Sequence, residues 1–241
     1  MSSGEWLGGK RTLLIAGLVL ILAGVALVAG SGWAKYRRVR TCAASTLEHL
    51  DALQELAPAG NLEGADLDLL EMGVQLHGLQ EDLACLDAEA GELLVLAPLL
   101  GWLPGVGEDI ASAPDLLEMA QALVNAGVLI TDGLSPLLVE MQARDAVDPD
   151  AGESSFDLAE AVAALEVAQP SLGTAGAELE RAWGLQLELE KATLSPRVDR
   201  LLDLTGRYLP LLRTGVRAAQ ITPELTGAEG PRTYLILAQN D

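Results

Sequence analysis

The sequence predicts an all-α protein: one N-terminal transmembrane helix continuing into a stalk, then an antiparallel helical bundle, with a short orphan strand at the C-terminus. Three observations predict it. Half of the 241 residues are hydrophobic but only 3% are aromatic, so the apolar mass lies in Leu and Ala, which favour helices over strands. Residues 12–34 carry no charge. Beyond that run, apolar residues recur at alternating steps of three and four, the spacing of one helix face.

The formal net charge of −20 is unevenly spread. Lys10, Arg11, Lys35, Arg37, Arg38 and Arg40 stand against Glu5 alone in the first 40 residues, a net of +5, and the remainder carries −25. No Lys or Arg occurs from Thr41 to Ala143. Phosphate binding requires clustered cations, so the acidic part has no nucleic acid among its expected partners.

Residues 1–11 form a short tail. The 23 residues from Thr12 to Ala34 make a helix of roughly 34 Å at ~1.5 Å per residue, which matches a ~30 Å hydrocarbon core. Trp6 precedes the run, and Trp33 and Tyr36 close it, where amphipathic rings prefer the headgroup level. The lipid bilayer is therefore the partner expected of residues 12–34. A cleavable signal peptide is the alternative, with Val28-Ala29-Gly30 as the cleavage site. The core Leu13–Ala29 is longer than the usual ~7–15 residues, and a basic cluster follows it, so an uncleaved anchor fits better. Four basic residues after the run against two before it favour a cytoplasmic C-terminal portion. Ala26 and Gly30 have helix-dimer spacing, a pattern common by chance in such runs.

Residues 35–57 continue as a juxtamembrane stalk through Leu47, Leu50, Leu53 and Leu56, until Pro58-Ala-Gly60-Asn61 breaks it. The acidic helical region 64–144 opens with the most regular pattern in the chain. Leu69, Met72, Leu76, Leu79, Leu83, Leu86, Ala90, Leu93 and Ala97 form a coiled-coil-like heptad seam, with Asp66 to cap it and Pro98 to end it. A turn near Gly60 folds this helix back on the stalk as an antiparallel hairpin, with Met72 as core filler. That turn sets Cys42 opposite about residue 79 and leaves Cys85 some 9 Å out of register. A bridge needs Cα atoms within ~7 Å, so two free, partly buried thiols are expected.

The connection Pro98-Leu-Leu-Gly-Trp-Leu-Pro104-Gly-Val-Gly107 is too apolar for a solvated linker and is expected to pack. A third helix follows Pro114, with Leu116, Ala120, Leu123, Gly127, Ile130 and Leu134 on one face, weakened by Gly127 and Gly133. Residues 145–155 are polar and turn-rich, a loop. The helical region 156–229 holds one stretch with Leu158, Val162, Leu165, Ala168, Leu172, Ala175, Leu179, Ala182 and Leu189, which Pro170 kinks or breaks. Another starts at Pro196, with Pro210 bending it. Residues 230–241 read as the start of a following domain, with a strand over Thr233–Ala238.

No catalytic, cofactor-binding or metal-binding residue is assigned, and no cofactor is implied. His49 and His77 lie one on each arm of the hairpin, without metal-ligand spacing. Pro104-Gly-Val-Gly107 lacks the preceding strand and the Lys-Ser/Thr of a phosphate loop. Glu81-Asp82 and Glu108-Asp109 are solvated pairs in a chain with 35 acids. Asp145, Asp148, Asp150 and Glu153 only approach calcium-loop spacing.

The segment Ala97-Pro-Leu-Leu-Gly-Trp-Leu-Pro-Gly-Val-Gly-Glu-Asp-Ile-Ala111 and the closing Gly230-Pro-Arg-Thr-Tyr-Leu-Ile-Leu-Ala-Gln-Asn240 resemble the bacterial "domain of unknown function 4012" family. Tyr234, Leu235, Gln239 and Asn240 match a strand that opens an α/β domain in that family. The resemblance covers most of this chain but only the family's N-terminal half. It implies a cell-envelope protein whose helical stalk presents a further domain outside the membrane, against the charge bias above. That domain resembles the LytR-CpsA-Psr ligases, which would make an envelope polymer a partner of the missing C-terminal part. Self-association or a protein partner through the helices is the remaining expectation, and a cytoplasmic-facing partner-binding stalk is the rival topology.

Overall fold

A seven-residue rhythm governs the helices. On one face, Ala161, Ala168, Ala175, Ala182 and Leu189 are buried, and Leu172, Leu179 and Gln186 fill the layers between them. A computed structural model describes residues 35–56, 69–147 and 158–226. Its elements are α1 (residues 35–56), α2 (Leu69–Leu94), a 3-10 turn (Ala97–Leu100), α3 (Gly107–Ala111), α4 (Ala113–Val147), α5 (Leu158–Leu189) and α6 (Pro196–Thr226). Every regular element among the described residues is helical. The apolar run 12–34 and the predicted strand 233–238 lie outside them, and no described helix is long and apolar enough to cross a membrane.

The long helices pack serially, α2 on α4, α4 on α5 and α5 on α6. The reason is legible in α4, which has two covered faces. Met119, Ala122 and Ala126 join the main core with α5 and α6, while Val124 and Val128 join Leu79 and Leu83 of α2 in a second cluster. Of the predicted face, Leu116, Leu123, Ile130 and Leu134 flank the main core, whereas Ala120 and Gly127 lie toward α2. Alanines at the α4–α5 contact let the helices approach closely, so a core with few aromatics still fills. Between α6 and α5 the repeat is stricter, with Leu202, Leu209, Val216 and Pro223 buried seven apart.

Pro170 does not break α5 into two helices. The helix is continuous from Leu158 to Leu189. Interior proline costs about 3 kcal/mol, but Ala168, Leu172 and Ala175 on either side are at most 1% exposed, and their burial outweighs it. The helix after Pro114 likewise runs through Gly127, Gly133 and Pro136 to Val147, past the predicted loop start at 145.

The antiparallel path fixes which residues share an end. Lys35 bonds Glu92, and Ser195 donates its backbone N–H to Asp109 at 2.7 Å, so residue 35, the 95–112 connection and the α5–α6 turn lie at one end. Gly73 faces Thr131, Gly133 faces Ser171, and Gln220 bonds the Leu172 carbonyl at 2.8 Å toward the other. Thr226 therefore ends α6 at the end opposite Lys35, about 46 Å along the helix from Pro196.

Candidate functional site

The chemistry-bearing side chains singled out in the sequence converge on the α1–α2 seam, and the seam is polar. Lys35, Arg38, Cys42 and His49 step along α1 at helical spacing. Glu92, Glu89, Cys85 and Gly78 step back along α2 by the same intervals. Lys35 pairs with Glu92, and Arg38 with Glu89 at 3.2 Å. The Lys35 hydrogen bond, then its charge, holds the Glu92 carboxyl below its usual range.

Cys42 and Cys85 are joined by a disulfide with Cα atoms 6.0 Å apart. This corrects the expectation of two free thiols. Cys42 stands opposite residue 85 rather than residue 79, because ion pairs and the bridge set the hairpin register, whereas the expectation placed the turn by the breaker at Gly60. Of the stalk leucines, Leu47 and Leu50 are exposed and Leu53 packs partly against the second cluster.

His49 lies over Gly78, where a Cβ would overlap its ring, with Cδ2 at 2.8 Å. Its Nδ1 is 2.7 Å from Asp82 Oδ2. A His–carboxylate pair is half of a base-activated nucleophile, but no hydrogen bond joins a Ser, Thr or Cys to this imidazole among the described residues. Thr46, the nearest hydroxyl in sequence, donates to the Cys42 carbonyl instead. His77 sits on the exposed side of α2, its Nδ1 2.9 Å from the Gly73 carbonyl and its Nε2 3.5 Å from Asp132. The histidines are not brought together, and no group of three His, Cys, Asp or Glu that could hold a metal occurs among the described residues. The seam acts as a clamp.

A second feature is a groove of about 310 Å³ between α5 and α6, opened by Gly173 and Gly176 and floored by Val216. Arg213 on its wall is spent on Glu180 (2.9 Å) and on the Trp183 face, 5.0 Å from the ring centroid. Of the described residues lining the groove, that leaves Arg217 as the available cation, too little for an anion site. Nothing in the sequence pattern signals this groove, since its glycines interrupt no apolar face.

The third feature lies at the Lys35 end. The 98–107 connection does not pack as expected: Leu99, Trp102 and Val106 are each more than half exposed, as are Val95 and Leu96 just before it, while Ala97 and Gly107 are buried. The glycines of Pro104-Gly-Val-Gly107 have backbone reasons. Gly105 takes a left-handed φ of 85°, and Gly107 abuts the Gly101 backbone. Of the acidic pairs, Asp82 is held by His49 and Asp109 by Ser195, whose hydroxyl first and N–H second keep its carboxyl below the usual value. Asp148, Asp150 and Glu153 lie outside the described residues.

No family model matches the chain, and neither a curated protein nor a solved structure was found to be similar to it.

Proposed function

We propose that the protein is a membrane-anchored cell-envelope protein whose helices form an extracytoplasmic stalk, holding the chain beyond Thr226 away from the bilayer. The Cys42–Cys85 disulfide is the observation that carries this reading, since such bridges persist in oxidising compartments and are rare in the cytosol. It supports the topology implied by the family resemblance over the one implied by the flanking charges. The anchor is the uncharged run 12–34, which leads directly into α1. The lateral packing of long antiparallel helices supports a spacer role, with α6 alone about 46 Å long. On this reading the stalk itself performs no catalysis.

A second reading is that this chain is the N-terminal half of an envelope glycopolymer transferase resembling the LytR-CpsA-Psr ligases. The match of Tyr234, Leu235, Gln239 and Asn240 to the opening of the family's α/β domain favours it. It is compatible with the stalk, and catalysis would then belong to residues after Asp241.

The test is protease accessibility with a recognition site inserted after Asp150. In spheroplasts of a bacterial host, the stalk reading expects cleavage by added protease without lysis and retention of the N-terminal fragment in membranes through alkaline wash. Protection until lysis contradicts the extracytoplasmic topology, and release by alkali contradicts the anchor.

A further inference from the structure

We propose that the 95–106 connection is a membrane-interface contact, in which Val95, Leu99, Trp102 and Val106 enter the headgroup region of the leaflet from which α1 emerges. The inference rests on the anchor reading above and adds a second attachment point to it.

The connection has the composition of an interfacial segment. From Val95 to Gly107 there is no charged residue, and a Trp stands among leucines. Its apolar side chains are not covered: Trp102 is 76% exposed, Val95 77% and Leu99 70%. An exposed apolar cluster of this kind marks a contact surface. A solvated loop of ten or more residues needs none of these side chains.

Its place in the fold selects the bilayer as the occupant. Lys35 is the first residue after the uncharged run 12–34, and it bonds Glu92, three residues before Val95. The connection thus hangs beside the point where the anchor meets α1. Of the acids bordering the segment, Glu108 is exposed and has to stay on the water side of the contact, and the others are paired. Glu92 and Glu89 are matched by Lys35 and Arg38, and Asp109 is turned to the Ser195 N–H. Attraction to anionic lipid is therefore a minor contribution, and the contact is expected in neutral bilayers as well.

Two features give the segment a firm base. Ala97 is 2% exposed and ties the 3-10 turn to the bundle, and Gly107 closes the far side against the Gly101 backbone. A rigidly held apolar tip loses little conformational freedom when it enters an interface.

The experiment uses the full-length protein reconstituted in phosphatidylcholine vesicles, with and without bromine on the acyl chains, and reads tryptophan emission. Trp102→Phe is compared with wild type. Trp102 is exposed, so the substitution leaves the fold intact, as circular dichroism will verify. The expected result is loss of about one third of the quenchable emission, because Trp6 and Trp33 are the other tryptophans an anchor holds at the bilayer. Quenchable emission unchanged by Trp102→Phe overturns the inference, whether water or a second copy of the chain then meets the ring. Trp33→Phe, run in parallel, reports the anchor separately. Loss at Trp33 without loss at Trp102 overturns only the loop contact. Loss at Trp102 without loss at Trp33 supports the contact and counts against the anchor.

Discussion

Gly107 packs its α-carbon against the backbone of Gly101, so that a Cβ at position 107 would lie 2.7 Å from the Gly101 carbonyl carbon and 2.9 Å from the Leu100 oxygen. The obstacle is backbone, which cannot rotate away. Gly107→Ala is therefore expected to cost about 2 kcal/mol through local displacement, despite alanine's better helix propensity. The damage should be local. Limited proteolysis will find new cleavage within 95–106 while the helix signal stays near that of wild type, and an unchanged cleavage pattern contradicts the close approach.

The Cys42–Cys85 bridge closes a span of 43 residues, and constraining an unfolded chain over that length is worth about 4 kcal/mol. Leu53 on α1 packs partly against the second core cluster, and the bridge, two ion pairs and the His49–Asp82 contact also join α1 to α2. Reduction should therefore release α1 first, leaving α4–α6 folded. Hydrogen exchange with and without reductant tests this: protection is expected to fall over residues 35–56 and to persist over α5. Uniform loss contradicts it, and so does no loss.

Much of this architecture is legible in the sequence, and the departures share a cause. The seam Leu76, Leu79, Leu83 and Leu86 does face a core, but the core lies largely toward α4 rather than α1. Apolar periodicity finds faces that bury hydrocarbon, and the α1–α2 contact instead uses Lys35, Arg38, Cys42 and His49. Their helical spacing is present in the sequence but carried by residues a hydropathy pattern ignores. The 95–106 connection departs from expectation for the opposite reason. Its apolar character is plain, but a sequence does not say whether such a segment meets protein or something else.

Gln186 illustrates the same limit inside the main core. It occupies the position seven after Leu179, is fully buried, and donates to the Leu202 carbonyl (3.2 Å) and to Glu190 (3.1 Å), while its Oε1 has no partner. A polar residue in such a layer fixes register at some cost in stability. Gln186→Leu removes the unpaired acceptor, and Leu202 keeps its intrahelical bond, so denaturant unfolding should show a gain of about 1 kcal/mol. A loss of similar size would mean that the α5–α6 fit depends on this amide.

Asp109 joins α3 to the start of α6 through Ser195, and this interaction lowers its pKa from 3.8. A carboxyl whose folded value lies below its unfolded one adds stability above the unfolded value, and that stability is lost as pH falls through the folded one. Acid titration should therefore lower the melting temperature more steeply below about pH 4 in wild type than in Asp109→Asn, which accepts the same hydrogen bond without titrating. Identical acid limbs contradict the coupling.

The redox state of Cys42 and Cys85 in living cells tests the extracytoplasmic stalk most directly. Cells of a bacterial host expressing the full-length chain are quenched in acid and treated with a large maleimide before and after reduction. An extracytoplasmic stalk gives no mobility shift without reductant and a two-thiol shift after it. Full labelling of both cysteines without reductant would contradict the extracytoplasmic topology, because a stalk facing the reducing cytosol leaves the pair as thiols.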